Sequence, residues 1–416
     1  MVKIAKGENM AINEQIKALA EKYRDYTATN LSKMVKTKSY SSKEEDVCRL
    51  IVELCKEAGF DDVRIDGLGS VIGRVGFGKK AIAFDAHIDT VEVGNLKNWN
   101  FDPFSGDIKD GKVWGRGSSD QKGGAASMIT AGRILKELGY AGDYSVYFTF
   151  TVMEEDCDGM CWKYLIEEEK FKPDLVVSTE PTTCRIYRGH RGRMEIRIIL
   201  RGISCHGSAP ERGVSAAYKA ARAALAIEKL NNDLQPDDDN FLGKGTITVS
   251  QMDVKGPSQC AVADYAMIYC DRRLTWGEDD KLAIAQVKKY VSEATGDKEE
   301  DIIVEMPNYE KLGWTKKDYH QELYFPTWKI PEDHYLVHAA VADYKDLYAK
   351  DPVVDKWTFS TNCVATTGRH KIPAIGFGPG DESQAHAPNE INRVEDLVIC
   401  SGFYALLPYK LDEMNK

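Results

Sequence analysis

Residues 81–90 combine an apolar run with polar side chains that could bind a metal. The segment Ala-Ile-Ala-Phe-Asp-Ala-His-Ile-Asp-Thr begins like a buried strand and ends in His87 and Asp89. Side chains two residues apart in a strand point to the same face, so these two should emerge together. A carboxylate beside an imidazole can accept the proton of one ring nitrogen and leave the other nitrogen for a metal. A single histidine is more often structural, so the prediction of a metal site depends on further strand ends.

Other possible metal ligands lie at the ends of further predicted strands or in their loops. They are Asp120, the pair Glu154 and Glu155, Glu180 and His386. Two imidazoles with several carboxylates and no thiolates favour Zn²⁺, with Co²⁺ or Mn²⁺ as alternatives. Each carboxylate taken alone could be a solvated loop charge. The chain lacks a His-Glu-x-x-His motif, which excludes the zinc peptidases that carry their ligands on one helix.

The adjacent acids Glu154 and Glu155 suggest a division of roles. If the strand continued through them, their side chains would point to opposite sides. One could then bind a metal while the other faced a water on that metal. A metal lowers the pKa of its water towards neutrality, and a nearby glutamate can take the proton. This pair therefore predicts the chemistry of hydrolysis.

The elements that must position these residues alternate between strands and helices, which is typical of an α/β sheet. Binding sites in such sheets gather at the carboxyl ends of the strands. From about residue 187 the order becomes βαββαβ, which predicts an inserted ferredoxin-like unit. We therefore expect a discontinuous catalytic domain over residues 1–186 and 311–416. Residues 187–310 should form the inserted lid or dimerisation domain.

Composition excludes several classes of function. A chain of 416 residues favours two domains, and 55 basic against 65 acidic residues disfavour nucleic acid or an anionic membrane as a partner. The chain contains no apolar run of membrane-spanning length, and residues 1–10 do not resemble a secretory signal. Ten scattered cysteines fit free thiols in a reducing compartment, so we predict a cytoplasmic protein. Glycines 67–73 could suggest a dinucleotide loop and a dehydrogenase, but a strand pattern follows them and favours a turn.

Five segments together resemble a known enzyme family. They are Ala-His-Ile-Asp-Thr-Val, Gly-Arg-Gly-Ser-Ser-Asp-Gln-Lys-Gly-Gly, Glu-Glu-Asp, Glu-Pro-Thr and Ala-His-Ala-Pro-Asn-Glu. They resemble the metallopeptidase/amidohydrolase family of aminoacylase, acetylornithine deacetylase, succinyl-diaminopimelate desuccinylase and carboxypeptidase G. The segments Glu-Glu-Asp-Cys-Asp-Gly-Met-Cys-Trp and Tyr-Arg-Gly-His-Arg-Gly-Arg-Met-Glu-Ile are similar to the subgroup called selenium-metabolism-linked hydrolases. The resemblance implies a mixed-sheet, phosphorylase/hydrolase-like catalytic domain with two metal ions.

The resemblance also implies a role for each ligand. His87, Asp120 and Glu180 would hold one ion, and Asp120 would bridge to a second ion. The second ion would be completed by Glu155 and His386, while Asp89 would orient His87. Glu154 would be the general base and later the proton donor. The family often has a cis peptide bond after the bridging aspartate, here between Asp120 and Gln121.

The inserted domain is implied to contribute His206 and Arg273. His206 would stabilise the oxyanion, in its own site or in that of a partner subunit, although a histidine in this turn could instead cap the next helix. Arg273 would clamp a substrate carboxylate, with the adjacent Arg272 as the alternative. We also expect Asn362 and Gly378 to contact substrate.

The chain departs from the family pattern where substrate is recognised. It has Ser258-Gln259 where many members have Asn, and Asn362 where many have Asp. These departures leave the metal ligands intact and affect only the substrate. Cys157 and Cys161 flank the acidic pair at a spacing that would allow a redox role, but buried thiols are the simpler interpretation.

The sequence thus predicts a homodimeric, metal-dependent hydrolase that cleaves an amide bond in a small substrate with a free carboxylate. N-acyl amino acids and short peptides are equally compatible with the residues. A ureido or carbamoyl substrate is an alternative on the same site. A non-catalytic metal-binding protein is the rival from another class, and it would be expected to have lost the base or a ligand.

Overall fold

The computed structural model describes residues 11–414. The first ten residues, on which the prediction about a secretory signal was made, lie outside this range. The α-helices of the described part are α1 (Ile12–Lys22), α2 (Arg24–Lys36), α3 (Glu45–Glu57), α4 (Gly123–Glu137), α5 (Met160–Glu167), α6 (Ala216–Asp233), α7 (Asp280–Thr295), α8 (Tyr335–Tyr348) and α9 (Val394–Met414). No helix in this range is long and apolar enough to cross a membrane.

The strands are numbered in chain order. They are β1 (Asp62–Ile65), β2 (Val71–Val75), β3 (Lys80–His87), β4 (Ile108–Lys109), β5 (Lys112–Trp114), β6 (Tyr144–Thr151), β7 (Leu175–Ser178), β8 (Ile186–Tyr187), β9 (Gly189–His190), β10 (Gly192–Arg201), β11 (Thr246–Lys255), β12 (Tyr265–Leu274), β13 (Ile303–Glu305), β14 (Asn308–Tyr309), β15 (Gln321–Glu322), β16 (Tyr324–Phe325), β17 (Trp328–Lys329), β18 (Val354–Asp355), β19 (Ala374–Gly376) and β20 (Ile391–Arg393).

The main sheet has eight strands in the order β1-β2-β6-β3-β7-β19-β8-β18. The central strand β3 pairs in parallel with both β6 and β7, and β7 pairs in parallel with β19. Helices α4 and α9 lie against each other, and their buried residues belong to the same core cluster as the sheet. The carboxyl ends of β3, β6, β7 and β19 therefore meet at one edge, as parallel pairing requires. This geometry confirms the predicted α/β class.

The inserted unit follows the predicted βαββαβ order with strand order β11-β12-β10-β13. Helices α6 and α7 cover one face, and their buried residues form a second hydrophobic core with the alternate residues of β10 and β12. Strand β11 is at the edge of this sheet. The short strand β16 returns to pair with β10, so contacts of the inserted unit extend past residue 310 to Tyr324.

Local differences from the sequence predictions have simple causes. Apolar residues at helical spacing predict one helix over residues 11–36, but the structure has two helices that separate at Tyr23. Ser41 or Ser42 followed by Glu44 predicts a serine N-cap for α3, but Ser41 donates its hydroxyl to Asp89 and the N-cap position is Glu44. Gly67 and Gly69 lie in the turn between the antiparallel strands β1 and β2, and Gly73 lies in β2. The sequence pattern favours this turn over a dinucleotide-binding loop.

Candidate metal centre

The possible ligands converge at the edge where the parallel strands end. His87 is the last residue of β3, Glu154 and Glu155 follow β6, and Glu180 follows β7. Asp120 precedes α4, and His386 lies in the loop between β19 and β20. His87, Asp120 and Glu180 offer ligand atoms that all lie within 4.8 Å of one another, as do Asp120, Glu155 and His386. The structure thus brings together the five predicted ligands.

Asp120 lies between the two histidines. Its Oδ1 is 3.0 Å from Nε2 of His87, and its Oδ2 is 3.6 Å from Nε2 of His386. Each histidine has a further carboxylate nearby: Glu180 Oε1 is 3.7 Å from His87 Nε2, and Glu155 Oε2 is 2.8 Å from His386 Nε2. The peptide bond after Asp120 is cis. This arrangement offers two groups of ligands that share one aspartate.

Glu154 and Glu155 line the same cavity, contrary to the expectation that they would point to opposite sides. The reason is that β6 ends at Thr151, and a turn in which Met153 has a φ of 61° carries both acids. Glu154 is 5% exposed, and its Oε2 lies 3.9 Å from Nε2 of His87. Glu154 is therefore beside the shared centre, while Glu155 contacts His386.

The burial of so many acids indicates that the site suits cations. Burial raises the pKa of Glu180 and of Glu154 well above the usual range, although the charge of His87 opposes the shift. Burial likewise raises the pKa of Glu155 to about 7. Divalent cations would offset this grouped negative charge, and imidazole with carboxylate is a donor set suited to Zn²⁺, Co²⁺ or Mn²⁺. The residues present therefore fit a pair of such ions.

Asp89 connects the histidine strand to the loop of the two glutamates. Its Oδ1 is 3.4 Å from Nδ1 of His87, whose nearer contact is the Asp89 backbone oxygen at 3.1 Å. The same carboxylate accepts hydrogen bonds from the backbone N–H groups of Glu154, at 3.2 Å, and Glu155, at 3.1 Å. The Asp89 carboxylate thus positions the loop that follows β6, while its role in orienting the imidazole stays a prediction.

Sequence reasoning missed Glu390, which fixes the loop that carries Asp120. Its buried carboxylate accepts backbone hydrogen bonds from Gly117, Ser119 and Asp120 at 2.8–3.0 Å. It also pairs with Arg116 at 2.7 Å. Three converging N–H donors and a guanidinium satisfy a buried carboxylate that would otherwise be costly. The only sequence signal was its place in the Ala-His-Ala-Pro-Asn-Glu segment.

Asn362 and Gly378 do not line the cavity, which corrects the expectation that they contact substrate. Asn362 is 1% exposed, and its Nδ2 donates to Asp85 Oδ2 and Thr151 Oγ1, both at 3.0 Å. An aspartate at this position would set two carboxylates against each other, which explains the departure from the family pattern. A side chain at Gly378 would collide with the backbone oxygen of Glu180, so this glycine permits close packing beneath the site.

The inserted domain contributes two arginines to the cavity. The cavity has a volume of about 370 Å³, and Arg193 and Arg273 of the inserted domain line it together with Phe359, Ser360 and Glu382 of the catalytic domain. Arg273 faces the cavity as expected, whereas Arg272 is buried and pairs with Glu278 at 2.6 Å. Both Arg273 Nε and Nη2 are bound to Asp271, at 2.8 and 3.0 Å.

His206 lies outside this cavity. It is exposed and lines a separate hollow on the inserted domain with Tyr218 and Cys260. Its Nδ1 contacts Ser208 Oγ at 2.8 Å. It does not cap α6, because Ser215 fills that position. The chain by itself therefore does not bring His206 to the metal centre.

The two cysteines beside the acidic turn are buried thiols. Gln321 Nε2 approaches Cys157 Sγ at 3.4 Å, and Cys161 Sγ approaches Asn362 Oδ1 at 3.3 Å. Burial raises the pKa of both thiols, which disfavours the reactive thiolate. A redox role therefore receives no support from their surroundings.

Comparisons with known proteins agree with this geometry. The model of peptidase family M20/M25/M40 matches residues 83–410. The uncharacterized protein YgeY of Escherichia coli strain K12 is 50% identical over 402 residues, which are 96% of this chain and 98% of YgeY. Aminopeptidase PepT from Bacillus cereus has a similar fold, with a TM-score of 0.70 and 21% identity over 94% of this chain and 99% of PepT.

A second solved structure is similar in the same way. A dinuclear metal binding peptidase of the M20 family from Bacillus subtilis gives a TM-score of 0.69, with 15% identity over 94% of this chain and 99% of its own. The narrower resemblance to selenium-metabolism-linked hydrolases stays a prediction. The family model covers most of the chain and includes every residue of the candidate metal centre. The chain belongs to peptidase family M20/M25/M40 and is a metal-dependent hydrolase.

Proposed function

We propose that this hydrolase uses two divalent ions, most simply Zn²⁺, to cleave an amide bond in a small substrate with a free carboxylate. The observation that carries the proposal is the position of Asp120, whose two oxygens face different histidines within one cavity. His87, Asp120 and Glu180 would hold one ion. Asp120, Glu155 and His386 would hold the other. Bound there, the ions would supply a water of lowered pKa and polarise the scissile carbonyl.

Glu154 is the proposed general base. It is the carboxylate of the cavity that belongs to neither group of ligands and still lies within 4 Å of His87. Its burial beside His87 suits a group that accepts a proton from water and then delivers it to the leaving nitrogen. Asp89 holds the Glu154 backbone, so the base is fixed relative to His87.

A carboxylate-bearing substrate is favoured by the opposite wall. Two guanidinium groups line a cavity that otherwise contains mainly acids, and a guanidinium binds a carboxylate through two parallel hydrogen bonds. The volume of about 370 Å³ suits an N-acyl amino acid or a dipeptide and is small for a folded protein substrate. Ureido acids carry the same carboxylate and belong in the same test.

His206 is proposed to act in the site of a partner subunit, where it would stabilise the oxyanion. The inserted domain has surfaces suited to a partner: β11 is an edge strand, and Tyr218 and Leu225 on α6 are 70% and 67% exposed. An unpaired edge strand beside exposed apolar side chains is a template for pairing with a second copy. We therefore propose a homodimer through the inserted domain. We also propose the cytoplasm as its location, because all ten cysteines are free thiols.

The proposal is tested by stripping the protein of metal and restoring Zn²⁺, Co²⁺ or Mn²⁺ separately. Each form is assayed against N-acyl amino acids, dipeptides and ureido acids. Glu154→Gln should lower turnover by about 100- to 10,000-fold on any substrate found, while the number of bound ions per chain stays unchanged. Glu168→Gln, at an exposed position after α5, is the matched control and should behave like the native chain.

Two results would contradict the proposal. The first is full turnover after metal has been removed to the limit of detection. The second is a Glu154→Gln protein that binds metal and retains native turnover. Loss of metal from Glu154→Gln would instead reassign that glutamate from base to ligand.

A further inference from the structure

Arg193 and Arg273 are direct neighbours on adjacent strands of the inserted domain. They are paired in the antiparallel register of β10 and β12, so their side chains share one face of the sheet. Both lie on the wall of the metal-site cavity. Like charges in directly opposed positions destabilise a sheet, so a benefit elsewhere must offset this pairing.

The two guanidinium groups differ in how many of their donors are already used. Arg273 gives Nε and Nη2 to the two oxygens of Asp271, which is the bidentate arrangement that a substrate carboxylate would need. The Nε and Nη2 donors of Arg273 are therefore already used by a residue of the same strand. The family resemblance makes Arg273 the substrate clamp, but the contacts leave it few donors for that role.

Arg193 is in the opposite condition. Its side chain is 19% exposed, yet it makes no hydrogen bond with any residue in the described range 11–414, and its buried Nε has no partner there. Its one ion pair among these residues is with Asp158, at 3.4 Å. That carboxylate also accepts a hydrogen bond from the hydroxyl of Ser360.

The position of Arg193 is nevertheless fixed. Its guanidinium lies over the ring of Phe325, with 4.6 Å between the guanidinium carbon and the ring centroid. Phe325 is fully buried and is the cross-strand partner of Arg193 on β16. Stacking of this kind holds a planar cation in one orientation while its edge donors stay available. The cavity thus contains a pre-positioned guanidinium that makes an ion pair with Asp158 but no hydrogen bond within residues 11–414.

From these contacts we propose that Arg193 is the principal clamp for the substrate carboxylate, and that Arg273 is a secondary contact held by Asp271. This inference rests on the proposed function, since it concerns the carboxylate end of the same substrate. The proposal implies a substrate with a free carboxylate. When the scissile amide lies at the metal centre, this carboxylate points towards the inserted domain. Neutral carboxamides or esters of the same molecules should be poor substrates.

The test compares Arg193→Met and Arg273→Met on the best carboxylate substrate from the metal-reconstituted panel and on its primary carboxamide. Arg193→Met should lower kcat/KM for the acid by about 100-fold, mainly through KM, and for the carboxamide by less than about 3-fold. Arg273→Met should lose less on the acid than Arg193→Met. Arg193→Lys keeps the charge without the fork and should lie between native and Arg193→Met.

Arg197→Met is the matched control, because Arg197 lies on the same strand face and is exposed. Calorimetric binding of the acid and its carboxamide to zinc-loaded Glu154→Gln protein, with and without Arg193→Met, gives a readout independent of turnover. Equal losses on acid and carboxamide, a larger loss with Arg273→Met, or native behaviour of Arg193→Met would each overturn the inference. A native protein that hydrolyses no member of the panel would overturn the proposed function instead, and the binding measurement would still decide the role of Arg193.

Discussion

The two domains present their histidines in opposite ways. His87 of the catalytic domain is 1% exposed and is held by Asp89 on one ring nitrogen and by Asp120 on the other. His206 of the inserted domain is exposed, and its contacts are with the nearby Ser208. A buried imidazole among acids suits a cation, whereas the exposed imidazole belongs to no group of possible metal ligands in the described part of the chain. One chain therefore assembles the candidate metal centre by itself, while the role proposed for His206 requires a second chain.

Replacement of the shared aspartate should give the largest effect. Asp120→Asn removes a ligand from both groups, so we expect turnover to fall by about 1000-fold or more and the bound-ion content to fall with it. Metal analysis of the purified variant and its kcat provide the measurement. Asp110→Asn, at an exposed turn, is the control. Retention of both ions by Asp120→Asn would show that Asp120 does not bridge them.

His206→Ala tests the role proposed for the exposed histidine of the inserted domain. We expect kcat to fall by about 100- to 1000-fold, as on loss of an oxyanion donor, with the metal content unchanged. A 1:1 mixture of His206→Ala and Glu154→Gln chains should recover about a quarter of native activity, because about half of its dimers are mixed and one of the two sites in each mixed dimer would have both groups. No recovery in dimers of verified mixed composition would mean that His206 does not act across subunits.

Glu390→Gln weakens the contacts that support the metal centre of the catalytic domain. The change leaves Arg116 buried without its charge partner and weakens the hold on the Asp120 loop. We expect metal affinity to fall by about 10- to 100-fold and the free energy of unfolding to fall by about 3–5 kcal/mol. Metal titration and denaturant unfolding of the metal-free protein separate the two effects. Glu395→Gln, an exposed acid at the start of α9, should change neither quantity greatly.

Asp343→Asn tests how much a buried acid outside the metal centre changes stability, for comparison with the buried acids of the metal centre. Asp343 on α8 is fully buried, and neither carboxylate oxygen has a hydrogen-bond partner among residues 11–414. Burial raises its pKa well above the usual range, although the charge of Lys410 opposes the shift. The pKa of Asp343 is higher in the folded state than in the unfolded state. The protonated carboxyl group therefore contributes fully to the free energy of unfolding below the unfolded pKa of about 4, and this contribution is lost as the pH rises through the folded pKa.

At pH 8 we therefore expect Asp343→Asn to be more stable than the native chain by about 1–3 kcal/mol. The gain should shrink as the pH approaches 4. Denaturant unfolding at several pH values measures it, with the exposed Asp351→Asn as control. A native protein that becomes more stable between pH 5 and 8, with no change on Asp343→Asn, would contradict this assignment.

The ligands could be predicted because each lies where a recognisable element begins or ends. His87 closes an apolar run, and Asp120 stands before a helix of small residues. The rule that parallel strands end at one edge then brings such residues together without knowledge of any contact. The inserted domain is predicted from its βαββαβ order, and the strands β10 and β12 show the alternating burial of a sheet with one covered face.

The supporting contacts could not be predicted, because they join residues that no local pattern relates. Glu390 binds the backbone of a loop 270 residues earlier, and backbone donors leave no signature in sequence. Arg193 is one of three arginines spaced four residues apart on β10, and the contact with Phe325 distinguishes it from the other two. Asn362 is recognisable as a departure from the family pattern, but sequence does not show that its side chain donates a hydrogen bond to the buried carboxylate of Asp85 on another strand.

The attachment of Glu390 to the Asp120 loop has a consequence for the order in which the enzyme matures during synthesis. The strands that carry His87 and Glu180 leave the ribosome long before Glu390 does. Before Glu390 is synthesised, the backbone N–H groups of Ser119 and Asp120 lack the carboxylate that accepts their hydrogen bonds. His386 is synthesised only four residues earlier. The nascent chain should therefore remain without hydrolytic activity until translation is almost finished, and fragments released early should be inactive.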